Sequence, residues 1–392
     1  MSSPSALPAI QHAFDLTEDQ QMVRDMVREF AETELAPIAA EIDENHRFPT
    51  ESWRKIVELG LPGIPFPEEF GGSGGGTLAY AIAVEEISRV CGSTGLSYAA
   101  HVSLGTYPIY AWGGERLRSE YVPRLIAGEY MGAYGLTEPN AGSDAGGTLT
   151  TATLDGDEWI VNGRKCFCTN AHHSGTFVIT AVTDKSLGVK GISAFVVPRA
   201  TAGFTVEKGE TKLGVRGSDW GGLAFADARI PRDHLLGPEK QGFATFMKTL
   251  EGGRISIGAM ALGIAQGAYE EARRYAQQRE AFGKPLAAHQ AVAFKLANMA
   301  TEIEAARHLV YHSARLKDAG EAYGTQASMA KLFASEMAMR VTYDAIQIHG
   351  GYGYSREYPV ERMWRDAKLT TIGEGTSEVQ RLVIARDILA RS

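Results

Sequence analysis

Three cysteines in a chain of 392 residues, Cys91, Cys166 and Cys168, are too few for a disulfide framework, and Cys166-x-Cys168 has no second pair to complete a zinc site. No metal is expected, and a reducing cytoplasm is the expected setting. Long apolar runs are missing too: nothing approaches the ~20 residues of a membrane-spanning helix, so no membrane association is expected. Clusters of Lys and Arg are scarce, and the net charge of -8 speaks against nucleic acid or an anionic membrane as the main partner. The opening MSSPSALPAIQHAF has neither a basic segment followed by an apolar run nor an Arg-rich amphipathic pattern, so no signal or transit peptide is read. Gly-x-Ser-x-Gly elbows, Walker loops and repeats of ~20–50 residues are all missing, which weakens hydrolase, nucleotide-triphosphatase and solenoid readings. Hydrophobic residues at 44% and charged residues at 22% describe an ordinary globular protein of about two or three domains.

What is present changes texture twice. From about Thr17 to Gly128 apolar residues recur at three- and four-residue steps, Met22, Met26, Phe30 and Leu35 among them, which predicts helices, the first ending near Pro37. From about Tyr130 to Gly242 the period is two, in "EWIVNGRKCFC", "TFVITAVT", "GISAFVVP" and "GGLAFADARIP". Asn162-Gly163 carries a hairpin signal, because both residues tolerate the positive φ of a type I′ turn. An antiparallel β-domain is expected there. After Gly242 helices return, and "GTQASMAKLFASEMAMRVTYDAIQIHG" aligns Met329, Leu332, Phe333, Met337, Val341 and Ile348 on one face. The fold class is therefore α+β: an N-terminal helical domain over 1–129, a middle β-domain over 130–241 and a C-terminal helical domain over 242–392.

Several motifs have plainer readings than the chemistry they suggest. "FGGSGGGTLA" nearly matches a dinucleotide fingerprint, but the preceding "LPGIPFPEEF" has three prolines and cannot be the central strand that fingerprint follows. A flexible surface loop is expected. His308 and His312 stand one helical turn apart, yet no Glu follows the first and no third ligand is evident, so they read as helix surface, as His172-His173 read as an ordinary loop pair.

Two segments say more. "GLTEPNAGSDAGG" from Gly135 offers the Thr137 and Ser143 hydroxyls, the Gly142 amide and little bulk, a loop able to wrap a polar cofactor. "QIHGGYGYSREYPVERMWRDAK" from Gln347 couples a glycine turn to charged residues and runs into "TTIGEGTSEVQRL", where Glu374 stands between Gly373 and Gly375.

Together these segments resemble the two signature regions of the acyl-CoA dehydrogenase family, FAD-dependent enzymes that oxidise acyl-CoA thioesters to 2-enoyl-CoA. The likeness extends from "LTEDQ" near residue 17 to "RLVIARDIL" at the C-terminus. It implies that Tyr134, Leu136, Thr137, Gly142 and Ser143 hold the flavin ring and its polar edge, with Phe167, Cys168 and Thr169 facing the ring from the next strands. Many members have Trp where this chain has Phe167, and Cys168 is then a small packing residue. The resemblance further implies FAD lying across a subunit boundary. Arg279, Phe282 and Gln290 would be the second subunit's share, Gln347, Gly350 and Gly351 would approach the pyrophosphate, and Thr376 and Glu378 would complete the site. A homotetramer built as a dimer of dimers follows by analogy. General chemistry agrees, since an arginine is a charge-assisted donor to a pyrophosphate and glycine amides approach phosphate oxygens without Cβ interference.

By the same resemblance Glu374 removes the α-proton of the thioester while the β-carbon gives hydride to the flavin. A thioester α-proton is weakly acidic, so a base already in contact is what the chemistry requires. Two influences on that carboxyl oppose each other. Ser377 with Gln380 forms a candidate capping box whose helix dipole favours the anion, whereas burial beside an acyl chain disfavours it, and the second is expected to win. Some relatives carry the base earlier, at the position of Gly253, leaving Glu251 as the reserve candidate. Glu251 and Arg254 are implied substrate contacts, with Ser143, Gly373 and Gly375.

Ala100 and Gly373 replace bulkier residues of some relatives and enlarge the expected cavity, so a short branched or somewhat bulky acyl group is the expected substrate. Reoxidation is expected to use an electron-transferring flavoprotein. The alternatives are a decarboxylating dehydrogenase on the same fold and a non-catalytic acyl-CoA-binding subunit.

Overall fold

The computed structural model describes residues 15–390; the first fourteen residues, where no signal or transit peptide is read, lie outside them. Seven helices come first: α1 (Glu18–Phe30), α2 (Ala39–Asn45), α3 (Thr50–Glu58), α4 (Gly76–Val90), α5 (Gly92–Ala100), α6 (Tyr107–Trp112) and α7 (Glu115–Ile126). Thr17 starts α1 with a capping box to Gln20, and the helix relaxes into a π-turn at Ala31–Leu35 just before Pro37. A second π-turn, His101–Thr106, links α5 to α6. His101 is buried there, facing Leu125 O at 3.1 Å through Nε2 and accepting Gly132 N–H at 3.1 Å through Nδ1. One neutral imidazole thus ties the helical layer to the first strand.

The glycine-rich run before α4 is a loop, as expected. The N–H groups opening α4, at Thr77 and Leu78, point at the Asp318 carboxylate at 2.6 and 3.0 Å. That helix start is filled by the chain's own anion.

Strands β1 (Met131–Gly135), β2 (Thr151–Asp155), β3 (Glu158–Thr169), β4 (Ser174–Val182), β5 (Ile192–Pro198), β6 (Phe204–Lys208) and β7 (Trp220–Pro231) form one sheet in the order β1-β4-β2-β3-β7-β6, with β5 also on β4. Most pairs are antiparallel, but β1 runs parallel to β4, and Thr151 of β2 meets β4 in the same sense. The sheet is therefore mixed. Its hairpin between β2 and β3 turns at Gly156-Asp157, where Gly156 has φ 60°. The Asn162-Gly163 signal marks something else: a register shift inside β3, with Asn162 exchanging hydrogen bonds with Asp227 at 2.8 and 2.9 Å. Residues suited to a tight turn also suit a bulge.

The C-terminal part comprises α8 (Gly242–Gln278), a short hairpin of β8 (Glu280–Ala281) and β9 (Lys284–Pro285), then α9 (Gln290–Asp318), α10 (Gly324–His349), α11 (Val360–Thr370) and α12 (Ser377–Ala390). Helix α8 packs so closely on α4 that a Cβ at Gly263 or Gly267 would strike the α4 backbone at Glu85 or Arg89. On α10 the buried face is Ala327, Ala330, Ala334, Ala338 and Ala345 with Met337, Val341 and Ile348; Met329, Leu332 and Phe333 are only half-buried. Small residues face inward because α8, α9 and α10 approach closely. One apolar core joins the N- and C-terminal helices, and a second, with Trp159, Phe177, Phe195 and Phe225, lies in the sheet. Among the described residues no helix is long and apolar enough to cross a membrane.

Candidate active site

Glu374 sits in the turn between α11 and α12 with φ 55°, in the left-handed region, followed by Gly375 at φ 96°. Its Oε2 is buried and has no hydrogen-bond partner. It lies directly against α8: a Cβ added at Gly253 would collide with that oxygen. Burial raises its carboxyl to about 7, with Lys331 and Arg254 pulling the other way. An unpartnered carboxylate whose affinity for a proton is near neutral is the state a general base needs.

The capping box expected at Ser377 does not form. Thr376 caps α12 instead, its Oγ1 accepting Val379 N–H at 3.3 Å, and Ser377 Oγ has no partner. Gln380 turns back, donating to Glu374 O at 3.2 Å and Gly375 O at 3.0 Å. Lys331 of α10, wholly buried, donates to the same Gly375 oxygen at 2.7 Å. Arg254, buried on α8, donates to Ser328 Oγ at 3.1 Å while its Nε has no partner.

Glu251 projects elsewhere. It is about 200° around α8 from Gly253, half-buried with its carboxylate against Gly324 at the start of α10. Beside it Lys317 lies over the Tyr107 ring at 4.2 Å, and burial lowers its ammonium to about 8.

A small apolar cluster is built from Ala100 at the end of α5, Leu104 of the second π-turn and Leu250 of α8, with Tyr134, Leu136 and Met247 packed against them. Tyr134 stacks on Phe246 at 4.2 Å and donates to Phe246 O at 3.2 Å. The Glu374 charge acts on both Tyr134 of β1 and Tyr80 of α4. Gly373 has space around it, the nearest atom to an added Cβ being Leu369 O at 3.6 Å.

Next to β1 the loop 136–150 leaves Gly142 and Ser143 exposed, and a Cβ on Gly142 would meet nothing within 4 Å. A buried ion pair anchors this loop: Lys165 Nζ donates to Glu138 Oε1 at 2.7 Å, and Glu138 also accepts Leu149 N–H at 2.7 Å and Thr150 N–H at 3.1 Å. Strand β3 bulges between Lys165 and Cys168, putting Phe167 at φ 58°. The bulge turns Phe167 outward, 49% exposed, with its ring 5.0 Å from Trp220. Cys168 faces the opposite way, into the sheet core, where burial pushes its thiol up to about 12. It does not face the open side that Phe167 presents and Thr169 partly exposes.

The remaining expected cofactor residues gather elsewhere. Arg279 lies over the Tyr352 ring at 6.0 Å, Phe282 is 96% exposed, and Gln290, Gln347, Gly350 and Gly351 are exposed, the two glycines with nothing near an added Cβ. Arg279 follows Gly253 by 26 residues of nearly continuous helix, about 39 Å along the axis. Thr376 and Glu378 stay beside Glu374 at the start of α12.

FAD, the group implied by the resemblance, fits what is present. A half-exposed aromatic wall, Phe167 with Trp220, stands beside an open-backbone loop, and an exposed arginine stands beside open glycines. Sequence reasoning missed Lys331, Tyr80 and the Lys165–Glu138 pair, and gave Gln380 only a capping role. Only Lys331 left a signal, as a lone cation on a helix face of Ala and Ser. Among the described residues no group of acids, histidines and cysteines could hold a metal ion.

The chain matches the acyl-CoA dehydrogenase N-terminal domain over residues 17–129, the middle domain over 133–228 and the C-terminal domain over 240–389. It is 54% identical to a probable acyl-CoA dehydrogenase of Bacillus subtilis, over 96% of this chain and 99% of that one. It is 52% identical to a short-chain specific acyl-CoA dehydrogenase of Clostridium acetobutylicum, over 96% and 99%. The structure of butyryl-CoA dehydrogenase from Megasphaera elsdenii superposes with a TM-score of 0.95 at 44% identity, covering 96% of this chain and all of that one. The chain belongs to the acyl-CoA dehydrogenase family and is an oxidoreductase of that FAD-dependent kind.

Proposed function

We propose that this protein oxidises a short saturated acyl-CoA thioester to the trans-2-enoyl-CoA, with Glu374 as the base. The observation that carries the reading is the buried, unpartnered Glu374 Oε2 lying against the bare backbone of Gly253, with its carboxyl raised to about 7. The bound flavin supplies the hydride acceptor. The chain's own residues do the rest: Leu104, Leu250 and Leu136 exclude water from the acyl group, and Glu374 takes the α-proton onto Oε2. Such a base contributes about 10²–10⁴ in rate. Arg254, on α8 near Glu374, stands on the thioester side, and Ser143 and Gly375 complete the substrate contacts; Glu251, turned towards Gly324, is not among them.

The apolar cluster of Ala100, Leu104 and Leu250 suits a short acyl chain, and the open space at Gly373 admits a branch.

FAD is shared between chains in this reading. Tyr134, Leu136, Thr137, Gly142, Ser143, Phe167, Thr169, Thr376 and Glu378 serve one end, while Arg279, Phe282, Gln290, Gln347, Gly350 and Gly351 of a second copy serve the other. The ~39 Å between Gly253 and Arg279 along α8 supports it. A homotetramer and an electron-transferring flavoprotein as acceptor complete the proposal, in a reducing cytoplasm that suits three free cysteines.

The test is a panel of acyl-CoAs mixed without air with the yellow holoenzyme. Bleaching of the flavin by butyryl-CoA or a short branched analogue, with the 2-enoyl product found by mass, is expected. A colourless protein that binds acyl-CoA without turnover would mark it as a binding subunit instead.

A further inference from the structure

A base is only as effective as the backbone that aims it, and the backbone at Glu374 and Gly375 is left-handed at two successive residues. For a glutamate this conformation is disfavoured, so neighbouring contacts must hold it. Two side chains do: Gln380 from α12 on both carbonyls and Lys331 from α10 on that of Gly375. Lys331 stands on the inward face of α10 with Ala327, Ser328, Ala330 and Ala334, where packing calls for a small side chain. A wholly buried ammonium is unfavourable unless a carbonyl and negative charge answer it; here Gly375 O accepts from it, and the charge of Glu374, with those of Glu378 and Glu336, acts on it.

We propose that Lys331 is a positioning residue for the base: its ammonium locks the left-handed turn that aims Glu374, and its charge favours the carboxylate over the acid inside a buried site. The inference rests on Glu374 being the base. Other charged and titratable groups surround the pair. Arg254 on α8, Glu378 on α12 and Glu336 on α10 act on Lys331, and Arg254 with the Tyr80 and Tyr134 phenols faces Glu374. Burial lowers Lys331 to about 8, with Glu374 opposing. Removing Lys331 leaves Arg254 as the remaining cation acting on the carboxyl, so its affinity for a proton rises further.

The experiment is single-turnover flavin reduction by butyryl-CoA without air, between about pH 6 and 9, on holoenzyme variants. Lys331→Met is expected to move the midpoint of the pH profile up by about one unit and to slow reduction near neutrality by about tenfold. Gln380→Leu, which loosens the turn without removing charge, is expected to slow reduction with the midpoint unmoved. A Lys331→Met profile that superimposes on the wild type overturns the proposal. Should that variant not accumulate as a yellow protein, Lys331→Arg decides. A retained midpoint with slower reduction supports the proposal, and wild-type speed with a displaced midpoint overturns it. Glu374→Gln is run alongside. If it reduces flavin at the wild-type rate the base assignment itself fails; if it is inactive while the Lys331 variants match wild type, only this inference fails.

Discussion

At Gly253 the missing side chain is what makes room for the Glu374 carboxylate. A methyl group there would occupy the position of Glu374 Oε2, although alanine is the better helix former by ~1 kcal/mol. Gly253→Ala should therefore leave the melting temperature unchanged or higher while cutting flavin reduction by at least about tenfold. A variant as fast as wild type would show that the carboxylate does not lie against α8. The glutamate itself is held at the expense of stability. Its carboxyl lies near 7 in the folded chain against 4.5 for an exposed glutamate, so the folded state binds more protons between those values. The stability associated with the raised group is present below about pH 4.5 and lost as pH rises through about 7. Glu374→Gln escapes that loss, and should be more resistant to urea than wild type above pH 7 by up to roughly 3 kcal/mol, with the difference shrinking toward pH 4.5. Equal midpoints at pH 5 and pH 8 would contradict the burial argument.

Among the elements, the loop between β1 and β2 is the one most dependent on a single buried contact, the Lys165–Glu138 pair beneath it. Breaking such a pair on one side leaves an uncompensated buried charge and costs about 3–5 kcal/mol. Glu138→Gln should accordingly lose flavin on gel filtration and lower the melting temperature, whereas retention of full yellow colour would show the loop to be held otherwise. This pair was not legible in the sequence, because Lys165 and Glu138 meet only once β3 has been paired in the sheet. Legible elements were those with a strong period: α1 to Pro37, the alternating strands, the long helices after Gly242. The parallel pairing of β1 with β4, the hairpin at Gly156 and the bulge that turns Phe167 outward and Cys168 inward depend on neighbours far along the chain. On α10 Met337, Val341 and Ile348 lie inward as expected, but Met329, Leu332 and Phe333 are only half-buried and alanines fill the rest of the inward face, since close helix packing selects small residues.

Across the whole molecule the expected site residues fall into two groups about 39 Å apart along α8, and in the proposed function one group comes from a second copy of the chain. Arg279→Glu should release flavin without disturbing the Glu374 turn. Co-expressing Arg279→Glu with Glu374→Gln should restore part of the activity, because some mixed sites then carry Glu374 from one chain and Arg279 from the other. No recovery in mixed oligomers would contradict a shared cofactor. The resemblance singled out Glu374; the contacts that hold its turn were not legible, because Lys331 and Gln380 reach it from elements that converge only in the fold. The proposed function turns on one proton transfer, and the most direct test of that transfer is the stopped-flow rate at which butyryl-CoA bleaches the flavin in wild type and in Glu374→Gln without air. The account predicts a fall of at least about a hundredfold with flavin content intact; a glutamine variant that bleaches at the wild-type rate would contradict it.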